Sequence, residues 1–166
     1  ARLMPEQVIG IVGVDTLQNV ADPVPQQLVD EMVAPLEADF RAAAQNFVMP
    51  MFPEQADQQL VRWVTEDISS APKQIALNAF RNYLEQYVSG EAAEVFEDVT
   101  IPVISINARL WPSAPEKNSQ YIENYHLIYI EETGHFPMLE KPDEFNRLLR
   151  EALQVIVLNG RPTNPR

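Results

Sequence analysis

Apolar and polar positions along the chain fall into two alternating kinds of segment. Val8, Ile9, Ile11, Val12 and Val14 form a nearly continuous apolar run rich in β-branched side chains, as a strand buried on both faces requires. Ile101 to Ile106 and Leu127 to Ile130 repeat that character, the first of them entered through Thr100-Ile101-Pro102, and proline is tolerated at a strand's first position. Between these two runs, Pro115 to Tyr125 can hold about ten residues, enough for a short crossover helix between parallel neighbours. The pattern predicts about three parallel strands, the last two side by side.

More than eighty residues separate the first run from the second, and they carry helical rather than strand spacing. Leu28, Val29, Met32, Val33, Leu36 and Phe40 predict a helix over Gln26 to Phe47, broken or kinked at Pro35. Asp57 to Ile68 and Pro72 to Val88 predict two more. Leu60, Val61, Val64 and Ile68 line one of these, with Trp63 beside them; Ile75, Ala79, Tyr83 and Tyr87 line the other, which Gly90 stops. Met49 to Pro53 reads as a turn. A final helix is predicted from Pro142, with Asp143 and Glu144 in the first turn, where the helix dipole favours acids, and with Phe145, Leu148, Leu149, Ala152 and Leu153 as its buried stripe. The segment 159–166, with its prolines, Gly160 and asparagines, is expected to be loose.

Composition narrows the function classes. A net charge of −12, with no basic cluster, excludes a phosphate-tracking surface and makes nucleic acid an unexpected partner. No apolar stretch is long enough for a membrane span and no secretory signal is visible, so a cytoplasmic protein is expected. The absence of cysteine excludes disulfides and thiolate metal sites. Ala1-Arg2-Leu3-Met4 reads as the last turn of a helix, which predicts that sequence precedes Ala1.

The two histidines stand in different contexts. His126 opens the third strand with no acidic neighbour assigned to it and is expected to be structural or on the surface. His135 lies in Glu131-Glu132-Thr133-Gly134-His135-Phe136-Pro137-Met138-Leu139-Glu140-Lys141-Pro142, between the third strand and the last helix. Gly134 to Asn146 resembles the histidine loop of α/β-hydrolases, where Gly-His follows the last core strand and a proline-started helix closes the fold. A histidine that takes a proton from a nucleophile and returns it to a leaving group must face the site yet be held in one tautomer, and a loop after a buried strand offers that position.

The resemblance implies an α/β fold: the C-terminal part of a doubly wound α/β-hydrolase sheet, with a helical cap inserted. Core would occupy 1–16 and 98–158, and the cap 17–97. Chain order in the family is nucleophile, acid, histidine. Many members place the acid at the position that here is Trp111; another family position, as in some haloalkane dehalogenases and lipases, corresponds to Asp15 at the end of the first strand. Asp15 is therefore the candidate orienting acid, although Asp before Thr at a strand end also makes an ordinary turn. Glu131 and Glu132 are rivals better suited to bracing the loop. Trp111, Phe136, Met138 and Trp63 are candidate pocket-lining residues. No Gly-x-Ser-x-Gly elbow occurs, so the nucleophile is expected roughly twenty residues before Ala1, in a missing N-terminal half of the fold. The implied activity is hydrolysis of a small ester or related acyl substrate without cofactor or metal, the chain being inactive alone. Two alternatives stand beside it: a haloalkane dehalogenase or epoxide hydrolase with an upstream Asp nucleophile, and a non-catalytic ligand-binding member.

Overall fold

The computed structural model describes residues 1–159. Three strands, β1 (Ile11–Val14), β2 (Val103–Ala108) and β3 (Tyr125–Ile130), form one parallel sheet in that order. Ile11 pairs with Val103 and Val14 with Ile106; Val103 pairs with Tyr125 and Ala108 with Ile130. The central strand is buried at every residue. β1 starts later than the apolar run suggests, because its ladder begins where Ile11 N–H donates to the carbonyl of Pro102 (2.9 Å). β3 starts two residues earlier than expected, and His126 lies within it, exposed.

Side chains alternate across the sheet with a period of two. Ile104, Ile106 and Ile130, with Val12 and Val14 beside them, face Phe145, Leu148, Ala152 and Ile156 of the final helix, α8 (Pro142–Asn159). Leu149 packs against this cluster from the edge, while Leu153, expected in the stripe, is exposed: the helix lies on the sheet along the 145–148–152–156 line, which turns Leu153 outward. The opposite sheet face packs Val103 and Tyr125 against Ile122, Val99, Ala93 and Val20. Each large aliphatic chain buried this way contributes roughly 1.5–3 kcal/mol. Between β2 and β3 the crossover holds one helical turn, α6 (Pro115–Asn118).

Five helices separate β1 from β2: α1 (Gln26–Ala38), α2 (Phe40–Val48), α3 (Gln58–Ser69), α4 (Lys73–Ser89) and α5 (Glu91–Glu94). Pro35 does not itself break the first helix. It sits within the last turn of α1, and the break falls at Asp39, whose backbone is extended and whose side chain caps α2 by accepting the Ala42 N–H (3.2 Å). Val29, Val33, Leu36, Ala44, Leu77 and Leu84 give α1, α2 and α4 a core of their own. α4 ends at Gly90 in the left-handed conformation (φ 85°), as its position as a stop signal predicts. Met49–Met51 form a short 3-10 turn leading toward α3. Residues 1–4 form a turn closed by Met4 N–H to Ala1 C=O (3.1 Å) rather than a helical segment. Asn159 closes α8, and the remainder of the segment expected to be loose, 160–166, lies outside the described residues.

Candidate active site

Asp15 and His135 are 120 residues apart in sequence and meet at the carboxyl ends of the strands. Asp15 follows β1 directly. Its N–H continues the ladder to Ile106 C=O (2.9 Å), and its backbone then turns into the left-handed region (φ 43°), which aspartate tolerates better than most residues. The turn directs its carboxylate over the end of β2. Oδ1 accepts the Ala108 N–H at 2.8 Å, and Oδ2 lies 2.7 Å from His135 Nδ1. Asp15 is 2% exposed and the His135 side chain 35%. A carboxylate only accepts, so Nδ1 is the donor in this contact and Nε2 is left for another partner.

The loop behind Asp15 is held by groups that residue patterns alone do not single out. Asn107, at the end of β2 and fully buried, accepts the Thr16 N–H (3.2 Å) and donates through Nδ2 to Thr16 C=O (3.0 Å) and Ser113 Oγ (3.1 Å). Asn118, also fully buried, accepts the Val20 N–H (2.9 Å) and donates to Leu17 C=O (2.6 Å). Leu17 is itself in the left-handed region (φ 56°), a conformation costing about 1–3 kcal/mol that persists only where surroundings impose it. The two asparagines supply that imposition. Their only sequence signal is their type: an amide placed at a strand end or crossover can mimic a backbone pair.

The His135 loop is gripped from two sides. The His135 N–H donates to Met51 C=O (2.8 Å), in the turn before α3. Both oxygens of Glu140, at the end of the one-turn helix α7 (Pro137–Glu140), lie 2.9 Å from the Gly134 nitrogen, and its Oε1 also accepts from Phe136 N–H (3.2 Å). Burial pushes the Glu140 carboxyl above its ordinary range; the Gly134 and Phe136 N–H groups pull it back, the charge of Asp15 raises it and His135 lowers it. Gly134 is required by close approach rather than by its φ: a Cβ there would stand 2.1 Å from Met51 O and 2.9 Å from Phe52 Cα.

Of the candidate pocket residues, Trp111 lies beside the imidazole, its ring centroid 5.4 Å from that of His135. The imidazole thus has an aromatic neighbour at Trp111 and a carboxylate partner at Asp15. Phe136 stacks on Phe52 (4.9 Å) and contacts His135 edge-on (5.1 Å). Met138 is partly exposed on α7, and Trp63 is 58% exposed on α3, outside the ring contacts around His135. Glu131 pairs with Arg109 (2.6 Å) and Glu132 with Lys141 (3.0 Å), so both rivals are engaged with surface cations. Among the described residues, no three His, Asp or Glu side chains converge as a metal ion would need, and no helix is long and apolar enough to cross a membrane.

No family model matches the sequence, and no curated protein matches it. Solved structures do. A thermophilic esterase from Thermogutta terrifontis superposes with a TM-score of 0.72 at 18% identity, covering 94% of this chain and 59% of that one. An esterase from Exiguobacterium antarcticum gives 0.70 at 13% identity, with 89% and 57% covered, and a bromoperoxidase from Bacillus anthracis 0.68 at 15%, with 87% and 58%. The chain thus spans just under three fifths of the length of these structures. Its fold is the C-terminal part of the α/β-hydrolase fold.

Proposed function

We propose that the chain supplies the acid–histidine pair of a serine hydrolase acting on a small ester or related acyl substrate. The single observation that carries this reading is the 2.7 Å contact between His135 Nδ1 and a buried Asp15 carboxylate whose second oxygen is fixed by a backbone N–H. A serine in a Gly-x-Ser-x-Gly turn preceding Ala1 attacks the substrate carbonyl and passes its proton to Nε2 of His135. His135 returns that proton to the leaving alkoxide as the carbon–oxygen bond breaks, and a water repeats the sequence on the acyl-enzyme. Asp15 accepts from Nδ1 of His135 throughout and holds the ring in that orientation. The insert at 17–97 acts as a lid, with Met51 and Phe52 at its seam with the histidine loop, and Trp111 lines the pocket beside the reacting ring. Names of the structurally similar proteins, two esterases and a bromoperoxidase, support a hydrolase of this general kind.

The test is turnover of an activated ester by the whole protein, with His135→Ala and Asp15→Asn as variants and a fluorophosphonate as serine trap. The expected outcome is a covalent serine adduct and a loss on the order of ten-thousand-fold in kcat for either variant. His135-dependent turnover of haloalkanes or epoxides without a serine adduct moves the nucleophile to aspartate, as in haloalkane dehalogenases and epoxide hydrolases. Ligand affinity that survives His135→Ala with no turnover in the wild type makes the pocket a binding site only. The 166-residue chain by itself is expected to give no burst with the ester above a His135→Ala control.

A further inference from the structure

Three successive backbone N–H groups, those of Gly134, His135 and Phe136, are all occupied, but by partners of different kinds. The middle one donates to a carbonyl of the helical insert at Met51, and the outer two converge on one carboxylate, Glu140. A turn of peptide wrapped around a carboxylate in this way has little rotational freedom, because moving either outer amide breaks a charge-assisted hydrogen bond. His135 sits between those two amides, so the same bonds determine where its Cα stands relative to Asp15. Lys141, adjacent in sequence, does not neutralise Glu140: its ammonium is engaged with Glu131 C=O (2.9 Å) and Glu132 (3.0 Å). Burial disfavours the ionised form of this half-buried carboxylate, and the two amide donors it gathers offset that in part. An amide side chain reproduces this only in part, since its one oxygen can take the place of Oε1, which both amides reach. Glu140 Oε2 lies 2.9 Å from the Gly134 nitrogen, and a glutamine NH2 at that place would face another donor.

We propose that Glu140 is a positioning residue for His135, holding the histidine loop through the Gly134 and Phe136 amides so that Nδ1 stays on Asp15. This rests on the reading of His135 as the proton-transfer group, and it assigns Glu140 no contact with substrate.

The experiment compares the whole wild-type protein with Glu140→Gln, Glu140→Ala and His135→Ala, measuring kcat and KM with an activated ester and the downfield proton resonance of the Nδ1–H to Asp15 hydrogen bond. Expected are a graded loss in kcat, about tenfold for Gln and about a hundredfold for Ala, with KM nearly constant and the Nδ1 resonance broadened or lost in the same order. Unchanged kcat and an unchanged resonance in the folded Gln variant overturn the proposal. So does a loss of activity that tracks the folded fraction while the resonance stays intact, since that describes a purely structural glutamate. Turnover that survives His135→Ala overturns the catalytic reading instead, and the resonance still decides whether Glu140 positions the ring.

Discussion

The sheet with α8 and the helical insert each have a hydrophobic core, but they reach His135 in different ways. The sheet approaches through covalent continuity and ladder bonds: Asp15 is the residue after β1, Ala108 N–H ends β2, and the histidine loop follows β3. The insert touches the same loop at one seam, Met51 C=O on the His135 N–H and Phe52 stacked on Phe136, while its main cluster of α1, α2 and α4 lies among its own helices. The sheet therefore sets the acid–histidine geometry through strand register and ladder bonds. The insert can change access and loop tension without disturbing the register of the strands.

Substitutions that separate the two regions sharpen this difference. The largest expected effect is on turnover: His135→Ala in the whole protein should remove activity by about four orders of magnitude, as steady-state kinetics would show. Next come matched core truncations. Ile104→Ala under α8 and Leu84→Ala in the insert should each cost about 2–5 kcal/mol by denaturant titration, yet only the first should also disturb the Asp15–His135 contact. Equal disturbance from both would mean that the insert shapes the site as strongly as the sheet does.

Gly134→Ala tests the seam itself. The added methyl meets the Met51 carbonyl, and overpacking of this kind costs about 1–3 kcal/mol; the expected result is a displaced 51–52 turn with lower kcat, and full stability with full activity would show that the approach is looser than the geometry implies. Smaller still is a pH effect from Glu140. Its carboxyl is raised in the folded chain, so between the ordinary and the raised value the native state binds more protons than the unfolded one. The contribution is fully present below the ordinary carboxylate range and is lost as pH rises through the raised value. Wild type relative to Glu140→Gln should lose stability over that interval, and a flat difference in paired melts at several pH values would contradict it. His126→Ala, on the exposed face of β3, should change stability by less than about 0.5 kcal/mol and leave turnover alone.

The two residues that meet at the candidate site were singled out through a family resemblance rather than through hydrophobic period. The resemblance of Gly134 to Asn146 to a family's histidine loop singled out His135, and the same family's alternative acid position singled out Asp15. Glu140 was present in the same quoted stretch but carried no signal of its own, because its partners are backbone amides, which every sequence has. Asn107 and Asn118 were invisible for the same reason. Leu153 shows the converse error: an apolar residue at helical spacing was read as facing inward, although the rotation of α8 against the sheet leaves it exposed.

The amino-acid order by itself determined the three strands and the helices between the first two, since hydrophobic period and turn chemistry are local properties. Only the tertiary structure decided that residues 15 and 135 meet at 2.7 Å, that Trp111 fills the position beside them, and that a glutamate and a carbonyl of the insert share the amides of one loop. Those contacts depend on strand register and helix docking, where bonds form between groups remote in sequence, and no local period encodes a distance across the fold.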